Sequence, residues 1–183
     1  MTQNHNTQKQ TVKLAKLGIL VAVSIVLVYL VHFPIFPAVA FLEYDPADIS
    51  ILIGTFAFGP LAGLGLVVVT AVIQGITVSA QSGVYGIIMH ILATGSLVLV
   101  AGSIYKFNKT KKGALIALIA GGLTMTFVMF LANLVVTPLF MGVPRDVVMG
   151  LMPFIVGFNI IKAGINSAVT LLLYKRLSGF LHR

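Results

Sequence analysis

Lys162 is the residue whose position most needs a chemical reason. It lies in the long apolar stretch from Pro153 to Arg176, about nine residues from its start and so roughly 14 Å deep at 1.5 Å per residue. An ammonium inside a membrane span costs about 2.5–3.5 kcal/mol on insertion scales, so it must face a polar cavity, a partner or a ligand. Snorkelling to an interface is the competing reading, but a lysine stem spans only about one helical turn. Asn159 and Asn166 stand at i−3 and i+4 from Lys162, on the same helix face. Two carboxamides and an ammonium make a stripe of hydrogen-bonding groups. Asn166, the deepest, reads best as a helix–helix seam. Asn133, alone in the preceding apolar stretch, suits packing and binding equally, and gains weight from a depth similar to that of Asn159.

The acidic residues tell a different story. In Tyr44-Asp45-Pro46-Ala47-Asp48, Asp45 fits an N-cap, Pro46 fits the first helical position and Asp48 falls in the first turn. Capping accounts for both carboxylates, and a catalytic acid pair has no support. Tyr44 suits an interface anchor or a stacking platform. His90, Gln74 and Thr94 are scattered, and His90 reads as a packed histidine, because no second ligand stands at metal spacing. Gly18 with Ala22, and Gly59 with Gly63, have the small-xxx-small spacing that permits close helix approach, for which internal packing is the simpler meaning. There is no phosphate loop, nucleophile elbow, zinc-protease helix or dinucleotide fingerprint.

These residues must be positioned by apolar helices. The 183 residues are 58% hydrophobic and only 9% charged, with a mean hydropathy of +1.07. Soluble domains carry about 25% charged residues, so lipid must solvate most of this chain. The net charge of +8 reports membrane orientation and not nucleic-acid binding, because the basic residues flank apolar runs. There is no cysteine for a disulfide, thiol nucleophile or thiolate metal site. The first apolar run extends from Lys16 to Glu43 without a charge. That is longer than a signal-peptide core of roughly 7–15 residues, so an uncleaved span is expected.

Pro34 and Pro37 end the first span and open an irregular loop through Tyr44. Residues 49–105 carry no charge, and at about 20 residues per crossing this is two or three helices. Sidedness requires three. The resulting expectation is an all-α membrane protein, one polytopic bundle over 1–183 with six transmembrane helices near 12–33, 48–58, 60–78, 83–105, 114–137 and 153–176. Breaks fall at Gly59-Pro60, Ser79–Gly83 and Pro138, and Pro138 to Met152 forms an outer loop. Both termini are cytoplasmic: Lys9, Lys13, Lys16, Lys106, Lys109, Lys111, Lys112, Lys175, Arg176 and Arg183 fall inside. Glu43, Asp45, Asp48 and Asp146 fall outside, with Arg145 the basic exception. Neither an ATPase domain nor an evident intramembrane carboxylate is present to power transport, so a partner must supply energy for any solute movement.

The stretch Phe41-Leu42-Glu43-Tyr44-Asp45-Pro46-Ala47-Asp48-Ile49, the stretch Thr55-Phe56-Ala57-Phe58-Gly59-Pro60-Leu61-Ala62-Gly63 and the segment from Phe158 to Ser167 resemble one family. It is the riboflavin-specific substrate-binding subunit of energy-coupling factor vitamin transporters. The six-helix plan and length fit as well. Ser50 stands where many relatives have proline, a departure confined to the first turn of helix two. The resemblance implies a plasma-membrane subunit that is not an enzyme. It binds riboflavin near the outer face, between the first loop and helices four to six, and works with a transmembrane coupling subunit and two cytoplasmic ATPases. It also implies ligand contacts at Asn133, Asn159 and Lys162, and a coupling contact at Gly18 and Ala22. The flavin's pyrimidine edge, one N–H between two carbonyls, suits amides and a lysine. The ribityl hydroxyls need partners near Gly83–Tyr85 or in the first loop, making Tyr85, Tyr44 and Asp45 candidates. The alternatives are a subunit for an anionic vitamin such as pantothenate or folate, with Lys162 opposite a carboxylate, a small membrane enzyme, or a ligand-free scaffold.

Overall fold

The computed structural model describes residues 2–181, and Arg183 of the basic tail lies outside them. Six helices follow one another: α1 (Thr2–Leu30), α2 (Ala47–Phe58), α3 (Pro60–Ile76), α4 (Gly83–Phe107), α5 (Lys111–Met141) and α6 (Arg145–Leu181). Of these, α1, α4, α5 and α6 are long and apolar enough to cross a membrane. At 12 and 17 residues, α2 and α3 are about 18 and 26 Å long. The loop after α1 contains a feature absent from an all-α reading. Strands β1 (Phe33–Pro34) and β2 (Glu43–Tyr44) pair antiparallel, Phe33 opposite Tyr44 and Pro34 opposite Glu43. His32 reinforces this ladder, its Nε2 lying 2.9 Å from Glu43 Oε2.

α2 is the centre of the bundle. Every residue from Ala47 to Phe56 is buried. A helix that is apolar all round needs neighbours on every side, and α2 packs against α1, α3, α4 and α6. Gly59 ends it with φ +93°, a conformation glycine adopts at little cost, and Pro60 starts α3 at once. The turn folds α3 back along α2 so closely that a Cβ on Gly63 would overlap the Thr55 side chain. The second small-residue pair therefore serves internal packing. The first does not: Gly18 and Ala22 are exposed on α1, and a Cβ on Gly18 would have no neighbour within 4 Å.

The proline expected to stop α5 does not. Pro138 sits inside a helix that runs on to Met141, where Gly142 in the left-handed conformation caps it. A proline removes the hydrogen bond to the carbonyl four residues earlier, here that of Leu134. Arg145 Nε donates to this same carbonyl at 3.0 Å. The outer loop shrinks to the residues between α5 and α6, because 145–152 are helical. Lys162 consequently lies near the middle of α6. Arg145→Ala, which deprives the Leu134 carbonyl of its donor, is expected to destabilise the protein by about 1 kcal/mol, measurable by chemical unfolding in detergent.

Candidate functional site

The loop between α1 and α2, the α3–α4 turn and the upper part of α6 meet at one end of the bundle and enclose a cavity of about 120 Å³. Its wall includes Phe41, Glu43 and Asp45 from the loop, Gln74 of α3, His90 and Thr94 of α4, Met125 and Met129 of α5, and Asn159 and Lys162 of α6. A second cavity of about 60 Å³ adjoins it, lined by Tyr85, Asn133 and Phe140 among others. Phe41, Leu42, Ser82, Gly86 and Met89 line both. The partition is thus loop side chains and an unbranched methionine, a residue type that repacks readily. Together they form one site with a polar lobe and an aromatic lobe, where Phe140 lies 5.8 Å from Tyr85 and 6.3 Å from Phe41, centroid to centroid.

Lys162 is buried, and its Nζ donates to Asp45 Oδ2 at 2.7 Å. The aspartate also accepts from the Ala47 N–H at 3.1 Å and, more weakly, from Gln74 Nε2 at 3.4 Å. Burial raises the Asp45 carboxyl, but the nearby Lys162 charge, with its hydrogen bond, and the Ala47 N–H outweigh it and hold the group low, at about 2. The capping reading of the acidic motif is therefore displaced as well as incomplete: α2 starts at Ala47, so Pro46 and not Asp45 holds the N-cap position. One Asp45 oxygen does meet the start of α2, but the carboxylate's main partner is 117 positions away. Asp48 is likewise no simple first-turn charge. It is fully buried, accepting from Thr94 Oγ1 at 2.7 Å and from Asn166 Nδ2 at 3.1 Å. Both acids are enclosed by the bundle rather than placed on its outer surface.

Asn166 is the seam expected from its depth. It donates to the Asp45 carbonyl and to Asp48, and its Oδ1 accepts from the Tyr44 hydroxyl at 2.9 Å. Tyr44 is thereby committed beneath the site. Its ring lies 5.5 Å from that of Phe33, and it lines neither cavity, so it offers no stacking platform there. The structure gathers Asp45, Asn159 and Lys162 in one lobe and Tyr85 and Asn133 in the other.

The amides retain spare capacity. Asn159 Nδ2 donates to Ile155 O at 2.8 Å and Asn133 Nδ2 to Met129 O at 2.7 Å, while Thr137 Oγ1 donates to Asn133 Oδ1. Each amide keeps one N–H and acceptor lone pairs, and the ammonium, with three N–H groups, keeps donors beyond the one given to Asp45. The site can therefore hold a neutral, flat ligand with mixed donors and acceptors along one edge. Gln74, His90 and Thr94 were the residues that sequence reasoning passed over. His90 and Thr94 stand at i, i+4 on α4, a spacing that puts them on one face, whereas Gln74 lies on α3; only the fold brings the three to Asp45 and Asp48.

A family model described as the substrate-specific component of ECF transporters matches residues 12–174. The chain is 31% identical to the riboflavin transporter RibU of Staphylococcus aureus, the match covering 96% of this chain and 95% of that one. It is 26% identical to the riboflavin transporter FmnP of Bacillus subtilis, covering 93% and 94%. A solved S component of a bacterial ECF transporter superposes with a TM-score of 0.81 at 33% identity, covering 95% of this chain and 99% of that one. ThiT from Listeria monocytogenes, at 15% identity and a TM-score of 0.67, shares the fold. The chain belongs to the substrate-specific components of ECF transporters, a family of multi-pass membrane transport subunits and not of enzymes.

Proposed function

We propose that this protein is the riboflavin-binding subunit of an ECF uptake transporter. The observation that carries the reading is the pairing of an amide-and-ammonium edge with an aromatic lobe in one site, in a chain whose relatives are named riboflavin transporters. A flavin's pyrimidine edge fits Asn159 and Lys162 in the polar lobe, reaching Asn133 across the partition, and its fused rings fit Tyr85, Phe41 and Phe140. Asp45 holds Lys162 in place. It also bears on the anionic-vitamin alternative, because the ammonium already faces a carboxylate. Neither pantothenate nor folate finds an unpaired cation there, which favours a neutral ligand.

The same reading makes 1–183 one integral membrane substrate-binding unit with six crossings and cytoplasmic ends. Its support is the basic residues in the N-terminal half of α1 and around the α4–α5 junction, with the acidic loop at the opposite end. A transmembrane coupling subunit and two ATPases provide the energy. The exposed Gly18 and Ala22 on α1 offer the coupling subunit a face where backbones can approach closely.

An absorption and fluorescence titration of the detergent-purified protein tests the assignment. The expected result is quenching of riboflavin fluorescence at about one flavin per chain. Asn159→Ala is expected to weaken binding by about tenfold, since it removes hydrogen bonds from a buried edge. Absence of flavin binding in the unaltered protein would refute the assignment.

A further inference from the structure

Three buried side-chain atoms among the described residues have no hydrogen-bond partner: Thr70 Oγ1, Gln74 Oε1 and His90 Nε2. Two of them belong to residues that line the larger cavity, Gln74 on α3 and His90 on α4, whereas the amide edge lies on α5 and α6. Orphaned buried polar atoms are costly, and two beside one cavity mark a place where a ligand supplies the missing partners.

Their chemistry narrows what that partner is. The Gln74 amide has its orientation fixed, because Nε2 faces Asp45 Oδ2 and an ionised carboxylate only accepts. Oε1 is therefore the free atom, and it needs a donor. A flavin's ring carbonyls cannot satisfy it, since they also only accept, and the one ring N–H lies on the pyrimidine edge assigned above to the α5 and α6 side chains. His90 Nε2 donates or accepts according to tautomer, and a hydroxyl answers either. Thr94, Ser79 and Ser82 add further hydroxyls to the same lining.

We propose that Gln74 and His90 read the hydroxyl groups of the ligand's sugar-alcohol chain, and so make the site select for a polyol-bearing flavin over the bare ring. The inference rests on the flavin reading above and deepens it. It divides the site into two recognitions that meet at Asp45. The α5 and α6 side chains take the ring edge, and the α3 and α4 side chains take the chain. Asp45 joins the two, its Oδ2 accepting from both Lys162 Nζ and Gln74 Nε2.

The test uses two probes, riboflavin and lumiflavin, the latter having the same ring with a methyl group in place of the polyol. Both are titrated against the unaltered protein, Gln74→Leu, His90→Phe and His90→Gln. The expected result is that Gln74→Leu and His90→Phe each weaken riboflavin by about tenfold or more while lumiflavin changes by less than about threefold. His90→Gln, which keeps a donor and an acceptor, is expected to retain most riboflavin affinity. Riboflavin binding unchanged in both apolar variants would overturn the inference. So would equal losses for the two flavins, which would make these side chains supports of the fold or readers of the ring. An unaltered protein that binds neither flavin would instead sink the flavin reading itself, and this inference with it.

Discussion

Lys162→Ala is expected to be the most damaging single substitution, costing about 3–5 kcal/mol of stability and abolishing measurable riboflavin binding. It leaves Asp45 buried with its strongest partner gone, and an unpaired buried charge is far worse than no pair at all. The loss also has a pH signature. Because the folded Asp45 carboxyl lies below its ordinary value of 3.8, the pair contributes fully above about pH 4. That contribution fades as pH falls through about 2. A double variant separates structure from ligand contact. Asp45→Asn with Lys162→Met removes both charges and is expected to regain most of the stability, because no unpaired charge is left buried. Its riboflavin affinity is expected to remain at least about tenfold down, since the ammonium's remaining donors are gone. Normal binding by the double variant would show that Lys162 serves Asp45 alone.

Gly18→Leu combined with Ala22→Leu is expected to have the opposite profile. Both positions are exposed on α1, and nothing lies within 4 Å of a Cβ at Gly18. Stability is expected to stay within about 0.5 kcal/mol. Riboflavin titration is expected to be unaltered, because neither residue lines the site. ATP-driven uptake in vesicles reconstituted with the coupling subunit and ATPases is expected to fall by about tenfold or more, since leucine holds the two helices apart. Full uptake would remove α1 from the coupling interface. A parallel loss of binding would mean that the α1 face supports the site.

Much of this architecture was readable before any coordinates. Gly59-Pro60 ends α2 where expected, because a left-handed residue followed by a proline can hardly continue a helix. Asn159, Lys162 and Asn166 share a face because helical spacing alone puts them there. What escaped the sequence is what depends on distant partners. Asp45 looked like a cap because its neighbours are local in sequence, whereas Lys162 is not. Gln74 and His90 sit on different helices, so no spacing rule joins them. Pro138 looked like a stop because the arginine that fills its missing hydrogen bond lies beyond the turn.

The distance between partners has a consequence for biogenesis. The acidic loop and α2 leave the ribosome long before α6 exists. Until then Asp45 lacks its ammonium, and Asp48 lacks the Asn166 amide and has only Thr94 of α4 to meet. A nascent chain ending after α5 therefore holds Asp45 without the ammonium that pairs with it and Asp48 without the Asn166 amide. Insertion of the last helix completes the bundle, and the same helix that pairs the two buried carboxylates also brings Asn159 and Lys162 to the cavity.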